Sequence, residues 1–161
     1  MDSRLLNILL DSFPRILLPG LTMTLPLTAI AFSIAMVIAV AAALAQFARV
    51  PVITQICRLY IWIFRGTPLL VQLFVVFYGL TKVGITLAPF PAAVLVFSLN
   101  EGAYCAETVR ASLEAVPAGQ LEAGLCAGLS YLQTMRRIIL PQAMRTAFPS
   151  LSNSLIAMVK D

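Results

Sequence analysis

The chain has 161 residues, of which 60% are hydrophobic and 11% charged, and a net charge of +4; its mean hydropathy is +0.94. A soluble domain carries about 25% charged residues, so in water this chain would expose more apolar surface than it could hide, and an integral membrane protein is expected. The positive charge forms no basic stripe for nucleic acid, and the absence of histidine excludes His-based acid/base work, the Ser-His triad and most zinc sites.

Arg15 and Arg49 bracket 33 residues without a charge, more than the roughly 20 that a span needs. Pro19 and Pro26 lie in the first third of this stretch, so the span is expected to start near Pro26 after a bent or interfacial entry. A second apolar segment covers 59–80. Arg65, Gly66 and Pro68 interrupt it, which predicts a break or wide turn there and an embedded part at 69–80. The third follows Lys82 and the Pro89/Pro91 pair, over 92–109, and carries Glu101 and Glu107. The stretch 109–145 is the most polar. A fourth apolar stretch, 147–159, is short, and Pro141 and Ala143 could extend it. Cys57, Cys105 and Cys126 have no short ligand spacing and read as packing residues. No metal site and no catalytic residue are assigned.

Basic residues set the orientation. Arg49, Arg58, Arg65, Arg110, Arg136, Arg137 and Arg145 fall on one side, which should be cytoplasmic. Arg4, Arg15, Lys82 and Lys160 fall on the other, with Asp2 and Asp11 as offsets. The N-terminus and, after four spans, the C-terminus are then expected outside.

Residues 112–145 read as a cytoplasmic helix-turn-helix. Pro117 suits a first helical turn, and Gln120, Glu122, Ala123, Cys126 and Ala127 follow at helical spacing. Gly128 fits a left-handed C-terminal cap. Ser130 and Gln133 have capping-box spacing. Pro141 is expected to stop the second helix. The pattern is a rigid element with a small-residue face and one carboxylate, or else a surface loop lying on the membrane.

Glu122-Ala123-Gly124, three residues, Gly128, nine residues, then Ile138-Ile139-Leu140-Pro141 resembles the EAA loop of ABC importer permeases, whose pattern is E-A-A, three residues, G, nine residues, I-x-L-P. Gly124 is the one departure, and in a helix it weakens stability by about 1 kcal/mol relative to alanine. Gly20-Leu21-Thr22-Met23-Thr24-Leu25, Phe64-Arg65-Gly66-Thr67-Pro68-Leu69-Leu70-Val71-Gln72, and Ala103-Tyr104-Cys105-Ala106-Glu107-Thr108-Val109-Arg110 with Val116-Pro117-Ala118-Gly119-Gln120 resemble segments of polar amino acid permeases. The resemblance covers 20–161. It implies an all-α, polytopic transmembrane bundle of the type I importer permease fold, as a single domain (1–161) with the EAA coupling loop (112–145) inside it. Members of this kind continue past the Lys160-Asp161 pair with a further span, so five spans are expected in a complete protein and four here.

The resemblance also implies a function. The chain would be the permease subunit of a binding-protein-dependent importer in the bacterial inner membrane, moving a polar amino acid by alternating access. It would not be an enzyme: it has no G-x-x-x-x-G-K-[ST], and partner ATPase subunits would bind ATP and Mg. The other partners implied are a second permease (a copy or a homologue), a solute-binding protein that is periplasmic or lipid-anchored, the amino acid and membrane lipid. Gln120, Glu122, Ala123, Gly128, Leu140 and Pro141 are the expected ATPase-coupling residues, with Glu122 making a charge-assisted contact. Glu101, with Asn100 and Tyr104, is a candidate for the substrate pathway, because a carboxylate inside a span usually faces a cavity or partner. Glu107 and Arg110, three apart, are expected to pair. The stretch Phe77-Tyr78-Gly79-Leu80 … Gly84-Ile85-Thr86-Leu87 looks most like cystine-type members. The alternative reading is a non-transporting membrane anchor or scaffold.

Overall fold

The computed structural model describes residues 12–15 and 17–160. Arg4, the offsetting Asp2 and Asp11, and Asp161 lie outside the described residues. The described residues form six helices and no strand: α1 (Ser12–Phe47), α2 (Pro51–Gly66), α3 (Leu69–Lys82), α4 (Pro89–Glu114), α5 (Ala118–Cys126) and α6 (131–160).

The bundle is packed with small residues inside and large apolar ones outside. On α1, Ala31, Ala35, Ala39 and Ala43 recur at helical spacing and are fully buried. Ala39 and Ala43 share a core with Ala103 and Ala106 of α4, and Gly102 lies against Ile38, across the most extensive helix–helix contact in the fold. Small residues let two backbones approach closely, which is how helices associate where no hydrophobic force acts between them. Meanwhile Val37, Trp62 and Phe148 are each 70% or more exposed. A soluble surface does not carry apolar side chains on this scale, whereas lipid covers them. α6 completes the core by laying Ala143, Ala147 and Leu151 against α4.

The expected break after α2 is present. Thr67 and Pro68 are extended (ψ 139° in both), because a residue before proline avoids helical geometry, and α2 and α3 meet at 104°. By length and composition α1 alone is a full span, and α2 with α3 passes only as a bent pair. At 26 residues, α4 rises about 39 Å, enough for a hydrocarbon core of about 30 Å.

Two proline expectations are corrected. The described residues are helical from Leu17 through Pro26 to Phe47, so the helix does not start at Pro26. Pro141 does not end the helix it sits in, since α6 continues to Lys160. The same device explains both. A five-residue π segment precedes each proline by one residue, Gly20–Thr24 before Pro26 and Met135–Ile139 before Pro141. Leu25 N–H donates to Gly20 O and Leu140 N–H to Met135 O, each five residues back. The widened turn moves the carbonyl that the pyrrolidine ring would otherwise strike, so the helix continues past a residue with no N–H to give.

Candidate coupling loop

The link between α4 and α6 is built from end signals that satisfy each other. α5 starts at Ala118, with Pro117 extended just ahead of it and Gln120 N–H donating to Pro117 O at 2.9 Å. It ends in a Schellman cap. Gly128 has φ +81°, Leu129 N–H donates to Gly124 O at 3.1 Å, and Gly128 N–H donates to Leu125 O at 3.0 Å. Nothing lies within 4 Å of where a Gly128 Cβ would be, so the demand for glycine there is conformational. Two residues on, Ser130 closes the expected capping box. Gln133 N–H donates to Ser130 Oγ (3.3 Å), and Ser130 N–H donates to Gln133 Oε1 (2.9 Å).

Gly124 gains a second meaning. A Cβ at this position would sit 2.4 Å from Thr134 Cγ2 and 2.7 Å from Thr134 Oγ1. Gly124 and Thr134 are both buried, and they form the seam between α5 and the start of α6. The loss of helix propensity at Gly124 therefore goes with a close approach that alanine would block. Thr134 Oγ1 donates to Ser130 O at 3.1 Å, which fixes the side chain facing the seam.

The seam leaves the opposite face of α5 open. Glu122 lies opposite Gly124 and is exposed, as are Ala123 beside it and Gln120 one turn earlier on the seam side, and Glu122 has no hydrogen bond or ion pair to any described residue. Leu140 is half-buried and Pro141 exposed on α6, beyond the π segment. The loop thus holds one uncompensated carboxylate on a rigid, small-residue surface.

Within the bundle, Asn100 is part of a polar clamp on the α2–α3 break. Gln72 Nε2 donates to Phe64 O (2.9 Å), Thr67 O (3.0 Å) and Thr67 Oγ1 (2.8 Å), while Asn100 Nδ2 donates to Gln72 Oε1 (3.1 Å) and to Phe64 O (3.3 Å). These bonds satisfy carbonyls that the broken helix leaves without partners. Tyr104 is exposed, and its ring centre lies 5.2 Å from Arg65 Cζ. Glu101 is half-buried and accepts a bond from Cys105 Sγ at 3.2 Å. Arg110 grips Glu107 with Nε and Nη2 and reaches Glu114 with Nη1. The sequence reading missed Glu114 in this group, although it stands four residues from Arg110. It also missed Gln72, whose role depends on a contact with α4 far along the chain, and Thr134, which meets Gly124 only after the chain turns back at Gly128.

Residues 35–161 match the family model described as "Binding-protein-dependent transport system inner membrane component". The chain belongs to that family. It is 46% identical over 151 residues to the L-cystine transport system permease protein TcyB of Bacillus subtilis (strain 168), covering 94% of this chain and 64% of that protein. The chain thus spans just under two thirds of that relative's length. Among solved structures, it matches a chain from the crystal structure of an amino acid ABC transporter with histidines (TM-score 0.84, 36% identity, 94% of this chain and 71% of that one). A chain of the inward-facing MetNI methionine ABC transporter shares the fold (TM-score 0.69, 21% identity, 99% and 74%). Members of this family are multi-pass inner-membrane components, in keeping with the inside-out packing of α1 and α4.

Proposed function

We propose that the chain is the membrane-spanning part of a permease subunit in a binding-protein-dependent ABC importer for a polar amino acid, and that α5 is its docking element for a separate ATPase. The observation that carries the reading is Glu122, an exposed, unpartnered carboxylate on a helix fixed by a Schellman cap, a capping box and the Gly124–Thr134 seam. A preformed contact of this kind transmits force because little motion is lost within the loop. Gln120, Ala123 and Gly128 shape the contact, and Leu140 and Pro141 fix the exit into α6.

Arg49, Arg58 and Arg65 between α1 and α3, together with Arg110 in α4 and Arg136, Arg137 and Arg145 in α6, support a cytoplasmic loop and an outside N-terminus. Two ATPase subunits, which bind ATP and Mg, then drive two such loops, so a second permease, identical or related, completes the pathway. A solute-binding protein supplies the amino acid from outside. The relative named for L-cystine supports a polar amino acid as cargo. Glu101 is the pathway carboxylate. Asn100 acts beside it through the clamp on Gln72, and Tyr104 through Arg65.

Reconstitution with the ATPase and binding protein tests this. A charge-assisted contact contributes about 1.5–3 kcal/mol, so Glu122→Ala should lower binding-protein-stimulated ATP hydrolysis by about 10- to 100-fold. Full stimulation in the variant sinks the assignment.

A further inference from the structure

At the end of the bundle that carries α5, a cleft of about 680 Å³ opens between the α1–α2 turn and the last turns of α4. Arg49, Arg58 and Arg110 line it, together with Glu107 and Glu114. Both carboxylates are engaged by Arg110, whose Nε lies 3.1 Å from Glu107 Oε2 and whose Nη1 lies 2.5 Å from Glu114 Oε1. Arg49 and Arg58 are exposed and make no hydrogen bond or close ion pair with a described residue, although Arg58 lies within electrostatic reach of Glu107. The cleft therefore carries three guanidinium groups against two carboxylates, an excess of positive charge that Arg49 holds at its mouth.

Arg49 also holds an unfavourable backbone. Its φ is +53°, and among the described residues it is the one non-glycine with a positive φ. It follows Ala48 at the end of α1, a left-handed position where glycine is the usual residue. Arginine there keeps a charge at the mouth of the cleft that glycine would not supply.

The surroundings place the cleft at the membrane surface. Arg49 ends the charge-free run of α1. Arg58 is shared with an adjoining cleft of about 480 Å³, where Arg65 and the exposed indole of Trp62 also lie. Tryptophan marks the head-group level of a bilayer, and its ring gives an apolar edge beside the basic cleft. Guanidinium forks match phosphate oxygens two at a time, and basic pockets between helices at the cytoplasmic face suit phospholipid head groups.

We propose that this cleft binds a phosphate group, and that its source is the head group of an anionic phospholipid of the cytoplasmic leaflet. The proposal rests on the orientation given above. Because Glu114 stands three residues before Pro117, the bound head group would sit at the root of the coupling loop.

The test uses the permease–ATPase complex in nanodiscs of phosphatidylglycerol and phosphatidylcholine, with retained lipid read by native mass spectrometry. Arg49→Gly/Arg58→Gln should lower phosphatidylglycerol retention about thirtyfold, as the loss of two basic contacts predicts. Arg145→Gln should leave it unchanged. Equal retention in the parent and the double variant, or an equal loss in Arg145→Gln, overturns the site. If the double variant does not assemble, Arg49→Gly alone gives the readout, since it removes the charge and the left-handed strain together. Inorganic phosphate is then added to detergent-purified complex and followed by phosphorus NMR. Arginine-dependent phosphate binding without any retained lipid overturns the lipid source. ATP hydrolysis in the same samples reports coupling, and outside labelling of Lys82→Cys reports orientation, so failure of either earlier reading is distinguishable from failure of this one.

Discussion

Gly124→Ala is the substitution for which helix propensity and packing predict opposite signs. Glycine to alanine inside a helix should stabilise α5 by about 1 kcal/mol. At Gly124 the new methyl would meet Thr134 Cγ2 at 2.4 Å, against an optimal carbon–carbon separation of about 3.5–4.0 Å. Thr134 cannot turn away easily. It is fully buried, its χ1 is stiff because it is β-branched, and its hydroxyl is bonded to Ser130 O. Overpacking of this kind costs about 1–3 kcal/mol, so the net effect runs from about zero to 2 kcal/mol of destabilisation. Hydrogen exchange of the α5 amides in the reconstituted complex reads it directly, since about 1.4 kcal/mol is tenfold in protection. Thr134→Ala removes both close atoms and leaves Cβ at 3.1 Å, a gap that a small shift can relieve. In that background Gly124→Ala should become neutral or stabilising, giving a coupling energy of about 1–3 kcal/mol. Protection that rises about fivefold in Gly124→Ala and adds simply to the effect of Thr134→Ala would refute the seam.

The other expectations follow the same loop and the break. Gly128→Ala should cost about 1–2 kcal/mol through the left-handed backbone alone, and Ser130→Ala about 1 kcal/mol through the lost cap; both are read as faster exchange confined to α5 and the first turn of α6. Gln72→Leu should strip the Thr67 carbonyl of its side-chain donor and leave Phe64 O and Asn100 Nδ2 only their bond to each other, lowering thermal stability of the detergent-purified complex by about 1–3 kcal/mol. Asn100→Leu should cost less when added to Gln72→Leu than alone, and simple additivity of the two would count against a shared clamp.

What was legible in the sequence was local chemistry. Pro68 after Thr67 marked the break, Gly128 the left-handed cap, and Ser130 with Gln133 the next helix start, because each acts on backbone groups within a few residues of itself. Pro26 and Pro141 misled because a π segment is a shift in hydrogen-bond register, and no residue type in Gly20–Thr24 or Met135–Ile139 announces it. Gly124 read as a weakness because its partner, Thr134, becomes a neighbour only after the chain turns back at Gly128. Gln72 and Asn100 stand 28 residues apart and meet only once α3 folds against α4. Arg49 carries no sign in the sequence of its left-handed backbone.

The proposed docking of α5 on the ATPase takes place from the cytoplasmic side. It is tested most directly by crosslinking in the assembled complex, with Cys126→Ser removing the exposed native thiol of that helix. Ala123→Cys, on the open face of α5 beside Glu122, should crosslink to the ATPase with a short bifunctional reagent. Lys82→Cys, at the far end of α3, should not. Crosslinking from Lys82→Cys with none from Ala123→Cys would contradict both the docking surface and the orientation of the chain.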